Sequence, residues 1–142
     1  IGGGNNANVD AESEQQLLLK GTRILVAEDN EINQIIIKQL LESEGVICQV
    51  ADNGQACIEI LQSNPNFDLI LMDIHMPIMD GIEATNAIRA HINGDIASIP
   101  VVALTANVMP ADVKKYLASG MNAHISKPID KERLKQTILE LV

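Results

Sequence analysis

The chain has 142 residues, 46% hydrophobic and 20% charged, which suffices for one domain with its own apolar core and is too short for two. Its net charge is -9 and its basic residues are scattered, which excludes the electrostatic footprint of a direct nucleic-acid binder. The longest apolar runs, such as Ile35 to Ile37 and Pro100 to Leu104, fall far short of the ~20 residues that span a bilayer, so no membrane insertion and a cytoplasmic address are expected.

Residues 1–21 open with Gly2, Gly3 and Gly4 and read as a linker or tail, with a short helical turn over Asp10 to Lys20. The chain begins with Ile1 rather than Met, so it is expected to be a piece of a longer protein. A single domain is expected over 22–142, because from there short apolar runs alternate with amphipathic stretches, the pattern of repeated βα units. Strands are expected at Arg23 to Ala27, Ile47 to Val50, Leu69 to Met72, Val101 to Leu104 and Ala123 to Ser126, each buried on both faces. Helices are expected between and after them, over Glu31 to Glu44, Gly54 to Gln62, Ile82 to His91, Pro110 to Ser119 and Lys131 to Leu141. Gly45 and Gly120 serve as helix stops and Pro110 as a first-turn residue. Five such units are too few to close a barrel. The fold expected is an open α/β sheet, (βα)5, flavodoxin-like and doubly wound, with parallel strands in the order 2-1-3-4-5. Cys48 and Cys57 have neither CxxC spacing nor nearby His ligands, so two buried reduced thiols are expected rather than a zinc or redox site.

In open parallel sheets ligands bind outside the carboxyl ends of the strands. Glu28 and Asp29 follow the first strand, Asp73 the third, Thr105 the fourth and Lys127 the fifth, so three carboxylates, a hydroxyl and an ammonium should meet there. The second strand contributes nothing comparable. Carboxylates gathered in one cleft repel each other unless a cation joins them, and hard oxygen ligands suit Mg²⁺. Asp73 can then act as a carboxylate nucleophile toward phosphorus, with Thr105 and Lys127 holding phosphoryl oxygens. Each residue taken alone has a plainer use: Asp29 or Asn30 as a helix cap, Thr105 as a cap, Lys127 as a solvated charge, Asp73 as a turn former before Pro77. Four strand ends carrying matched groups favour the functional reading.

The stretches "ILVAEDNEINQ", "DLILMDIHMPIMDGIEA", "IPVVALTAN" and "GMNAHISKPI" resemble the response-regulator receiver domain, from about Arg23 to Val142. The resemblance implies that Asp73 is the phosphoacceptor and that Asp29 touches Mg²⁺ directly. It implies that Glu28 acts through metal-bound water, that Asp73 is itself a ligand, and that the backbone carbonyl of His75 is the third protein ligand. Thr105 looks like the switch hydroxyl that turns onto the phosphoryl group, and Lys127 like the lysine that pairs with it. The Lys127-Pro128 bond is expected to be cis. His75 and Asn107 are expected to tune access of the hydrolytic water. One departure concerns the second switch position: many family members have Tyr or Phe three residues before the lysine, and this chain has His124. The wording "EDNEINQ" with "MDIHMPIMDGIEA" looks most like receivers of hybrid sensor histidine kinases. That implies a histidine kinase or histidine phosphotransfer domain as partner, and a domain that promotes its own phosphorylation rather than a conventional enzyme.

Other readings are a stand-alone response regulator, a Mg²⁺-dependent aspartate-nucleophile phosphatase and a vestigial interaction module. The phosphatase chemistry needs a second Asp two residues after the nucleophile, where this chain has His75, and a decayed module should have lost part of the set. A docking surface is expected on the first helix. At about 100° per residue, Ile36, Ile37, Leu40 and Leu41 form a face that packs on the sheet, while Ile32 and Ile35 widen the apolar arc to about 240°. One sheet cannot cover that arc, so Ile32 and Ile35 are expected to be exposed beside the cleft, where the family's His-bearing helical bundle docks. The alternative is that the linker, with Leu17 to Leu19, folds back over them.

Overall fold

The structure, a computed structural model, describes residues 19–142. The helical turn expected from Asp10 onward and most of the linker lie outside the described residues. Strands β1 (Arg23–Ala27), β2 (Ile47–Ala51), β3 (Leu69–Asp73), β4 (Val101–Thr105) and β5 (Ala123–Ser126) form one parallel sheet in the order β2-β1-β3-β4-β5. Between and after them run α1 (Glu31–Glu42), α2 (Gly54–Ser63), α3 (Gly81–Arg89), the short α4 (Gly94–Ala97), α5 (Pro110–Ala118) and α6 (Lys131–Leu141). The sequence pattern did not indicate α4.

Side chains alternate across each strand, so every strand feeds two cores. Ile24, Val26, Leu69, Leu71, Val102, Leu104 and Ile125 pack under α1 and α6, against Ile37, Leu41, Leu134 and Ile138. Leu25, Ala27, Ile70, Met72, Val101 and Ala103 pack under α2, α3 and α5. The central strands β3 and β4 are buried throughout, as their unbroken apolar runs require. Strand β2 differs from expectation: Ile47 and Gln49 are exposed and only one of its faces is covered, because it closes the edge of the sheet. β5, at the other edge, is only partly buried. Of the two thiols expected to be buried, Cys57 is and Cys48 is half-buried. Burial pushes Cys48 up to about 11 and Cys57 up to about 12, so both stay protonated. Leu19, within the segment read as linker, is 1% exposed and belongs to the α1–α6 core.

The helices begin where the strands' carboxyl edge needs them to. Asn30, Asn53, Asp80 and Asp130 each accept a backbone N–H in the first turn of α1, α2, α3 and α6. Asn30 rather than Asp29 caps α1, which leaves the Asp29 carboxylate to the cleft. Gly45 (φ 80°) and Gly120 (φ 105°) follow the ends of α1 and α5 in the left-handed region. Glu44, in the turn after α1, is buried and paired with Lys131 (3.2 Å) and Lys135 (3.6 Å) of α6, tying the two helices of one face together. No helix among the described residues is long and apolar enough to cross a membrane.

Candidate functional site

The sheet register sets the strand ends side by side: Ala27 lies opposite Met72, Asp73 opposite Leu104, and Thr105 opposite Ser126. Carboxylate oxygens of Glu28, Asp29 and Asp73 therefore all lie within 4.8 Å of one another. Glu28 and Asp73 are buried and Asp29 is exposed at the mouth. The Lys127 ammonium reaches across from the end of β5 and donates to Glu28 Oε2 (3.0 Å) and Asp73 Oδ1 (3.1 Å). Glu28 Oε1 accepts the Asn30 N–H at 3.1 Å. Gln34 of α1 donates to the Glu28 carbonyl (2.6 Å) and to Asp52 (2.9 Å). The turn after β2 thus supplies Asp52, which anchors a neighbour of the cleft without entering the acidic cluster.

Burial and the Glu28 charge push Asp73 up to about 6, although the Lys127 hydrogen bond and charge oppose the shift. Burial by itself would lower Lys127, but hydrogen bonds and attraction from Glu28 and Asp73 outweigh it and hold the ammonium above its usual value. Three carboxylates face one ammonium, so the cleft carries surplus negative charge on hard oxygen donors, a set that fits a divalent cation such as Mg²⁺.

The loop from β3 to α3 forms one wall. His75 on it has an exposed side chain, and Ile78 holds a φ of 70° while 80% exposed, a conformation costly for a β-branched residue. Gly81 starts α3 hard against the end of β3: its N–H donates to the Ile74 carbonyl (2.9 Å), and a Cβ there would overlap the Asp73 carbonyl oxygen. The Lys127-Pro128 bond is cis. Thr105 is brought to the same edge, but strand alternation turns it toward the α2–α3–α5 face while Asp73 shares the opposite parity. Its hydroxyl contacts the Asn107 carbonyl and the Tyr116 hydroxyl rather than any group of the acidic cleft. His124 lies on that same face, opposite Ala103 and half-buried, with no side-chain hydrogen bond among the described residues.

On α1, Ile32 and Ile35 are 68% and 52% exposed. Ile36, expected to pack on the sheet, is instead 47% exposed, because the covered stripe is narrower and centres on Ile37 and Leu41. With Ile37, Asn33, Lys127, Pro128 and Ile129 it lines an apolar recess of about 140 Å³ next to the cleft. Gly81 and Tyr116 were not singled out from sequence. The one available signal for Tyr116 was its being the sole tyrosine in a chain without tryptophan.

The profile of the response regulator receiver domain matches residues 24–139. The chain belongs to that family. As a receiver domain it is the phosphoacceptor module of two-component phosphorelays. It is 38% identical over 131 residues to the sensor histidine kinase GacS of Pseudomonas protegens, covering 92% of this chain and 14% of that kinase. Among solved structures it resembles the receiver domain of sensor histidine kinase PA1611 from Pseudomonas aeruginosa, which has magnesium coordinated in its active-site cleft. The TM-score is 0.74 and the identity 36%, over 85% of this chain and 97% of that one. It also resembles a chain of the Saccharomyces cerevisiae complex between the histidine phosphotransfer protein Ypd1 and the receiver domain of Ssk1. There the TM-score is 0.79 and the identity 32%, over 86% and 89% of the two chains.

Proposed function

We propose that this receiver domain takes a phosphoryl group from a phosphohistidine onto Asp73 and that it serves within a hybrid sensor histidine kinase, on the cytoplasmic side. The observation that carries the site assignment is the convergence of Glu28, Asp29 and Asp73 within 4.8 Å, with Lys127 bonded to Asp73. An Asp73 carboxylate oxygen attacks phosphorus, a P–O bond forms as the P–N bond to the histidine breaks, and the imidazole leaves with the electron pair. Glu28, Asp29, Asp73 and the His75 carbonyl would hold Mg²⁺, which when bound would neutralise charge on the transferring group. Lys127 exchanges its Asp73 contact for a phosphoryl oxygen, and Thr105 turns inward to hold another.

Kinship with GacS supports the hybrid-kinase setting, and the likeness to the Ssk1 complex supports a histidine phosphotransfer domain or histidine kinase as donor. The patch of Ile32, Ile35 and Ile36 beside the cleft suits transient docking of such a helical donor. Acetyl phosphate with Mg²⁺ should label wild-type protein once, with a base-labile adduct, and should not label Asp73→Asn. Full labelling of that variant would overturn the assignment.

A further inference from the structure

Thr105 and Tyr116 are both buried, 2% and 3% exposed, and their hydroxyls lie 3.0 Å apart. Both also reach the Asn107 carbonyl, Thr105 at 3.1 Å and Tyr116 at 3.0 Å, while the Asn107 N–H donates to Thr105 Oγ1 at 3.0 Å. Two hydroxyl protons are therefore shared within a closed triangle, and the Thr105 oxygen already accepts one N–H. This arrangement holds Thr105 on the face away from Asp73. Thr105 cannot turn toward Asp73 without giving up its buried contact with Tyr116 and leaving the Tyr116 hydroxyl with the Asn107 carbonyl alone.

We propose that Tyr116 is a positioning residue that holds Thr105 in its outward state, and that phosphorylation must break the Tyr116–Thr105 contact. This rests on the reading in which Thr105 turns onto the phosphoryl group. It gives Tyr116, entering from α5, a coupling part beside the second switch position, where the family resemblance places His124 in this chain. The contact also joins the cleft to an exposed surface, since Tyr116 is flanked on α5 by Leu117 and the triangle includes Asn107, next to Val108 and Met109. All three apolar side chains are exposed, so release of Thr105 frees the segment that presents them.

The test uses beryllofluoride with Mg²⁺ as the phosphoryl analogue. Tyr116→Phe keeps the ring and removes the hydroxyl, so it should raise beryllofluoride affinity about fivefold, the factor of one ordinary hydrogen bond. In a Thr105→Val background the same change should have no effect, because the interaction it removes is already gone. An equal effect in both backgrounds would show a packing role only, and no gain with Thr105 present would also overturn the proposal. The wild-type chain supplies a readout that needs no Tyr116 variant: with one Tyr and no Trp, emission excited in the tyrosine band, where Phe67 does not absorb, comes from Tyr116 alone. That emission should change when beryllofluoride and Mg²⁺ are added to wild type and should not change in Thr105→Val. Unaltered wild-type emission at saturation would refute the contact's release. Failure of wild type to be labelled on Asp73 would instead sink the underlying reading, and this proposal with it.

Discussion

Replacing Asp73 by Asn should stabilise the metal-free protein, since the carboxylate sits where ionisation is opposed. Burial and Glu28 raise it from an ordinary 3.8 to about 6 in the folded chain. A carboxyl group raised on folding contributes stability that is full below its unfolded value, near pH 3.8, and is lost as pH rises through about 6. At pH 8 the ionised Asp73 therefore works against the fold. A shift of roughly two units at 1.36 kcal/mol each sets a ceiling of about 3 kcal/mol. Solvent at the mouth of the cleft, where Asp29 is exposed, screens part of this and leaves about 1–2 kcal/mol. In EDTA at pH 8, Asp73→Asn should melt about 3–8 °C above wild type by differential scanning fluorimetry or urea titration. The difference should vanish near pH 4. Millimolar Mg²⁺ should raise wild type more than the variant, because binding to the native state adds stability by mass action and the variant has lost a ligand. A metal-free wild type as stable as Asp73→Asn at pH 8 would refute the idea that the cleft holds surplus negative charge.

Three further outcomes follow from the same geometry. Lys127→Ala leaves Glu28 and Asp73 without their ammonium, so it should fold with a loss of about 1–3 kcal/mol that Mg²⁺ partly restores, and it should lose most of its conformational response to phosphorylation, read by NMR shift changes. Gly81→Ala pushes a methyl group into the Asp73 carbonyl, and should slow acetyl-phosphate labelling at least tenfold, because a small displacement of a reacting group is costly. Ile32→Ser with Ile35→Ser should leave labelling by acetyl phosphate unchanged and slow transfer from a phosphohistidine protein, measured by radiolabel chase; equal loss with both donors would assign the patch to the fold.

Much of this domain was legible without coordinates, for local reasons. β3 and β4 are continuous apolar runs, and their alternation with amphipathic helical stretches points to strands covered by helices on both faces, hence to a parallel, doubly wound sheet. Parallel strands put their carboxyl ends on one edge, so Glu28, Asp29, Asp73, Thr105 and Lys127 were bound to share it once five strands were recognised. The tertiary structure decided what depends on partners distant in sequence. Ile36 is exposed and Ile37 buried because the sheet covers a narrower stripe of α1 than the apolar arc allows. β2 is open on one face because it is the edge strand of the sheet, and Leu19 is buried because it joins the α1–α6 core. Gly81 is needed because α3 starts against the Asp73 backbone, a closeness no composition reveals. The pairing of Thr105 with Tyr116 joins residues on different elements whose hydroxyls meet through strand alternation and the placement of α5, so only the folded chain brings that contact into being.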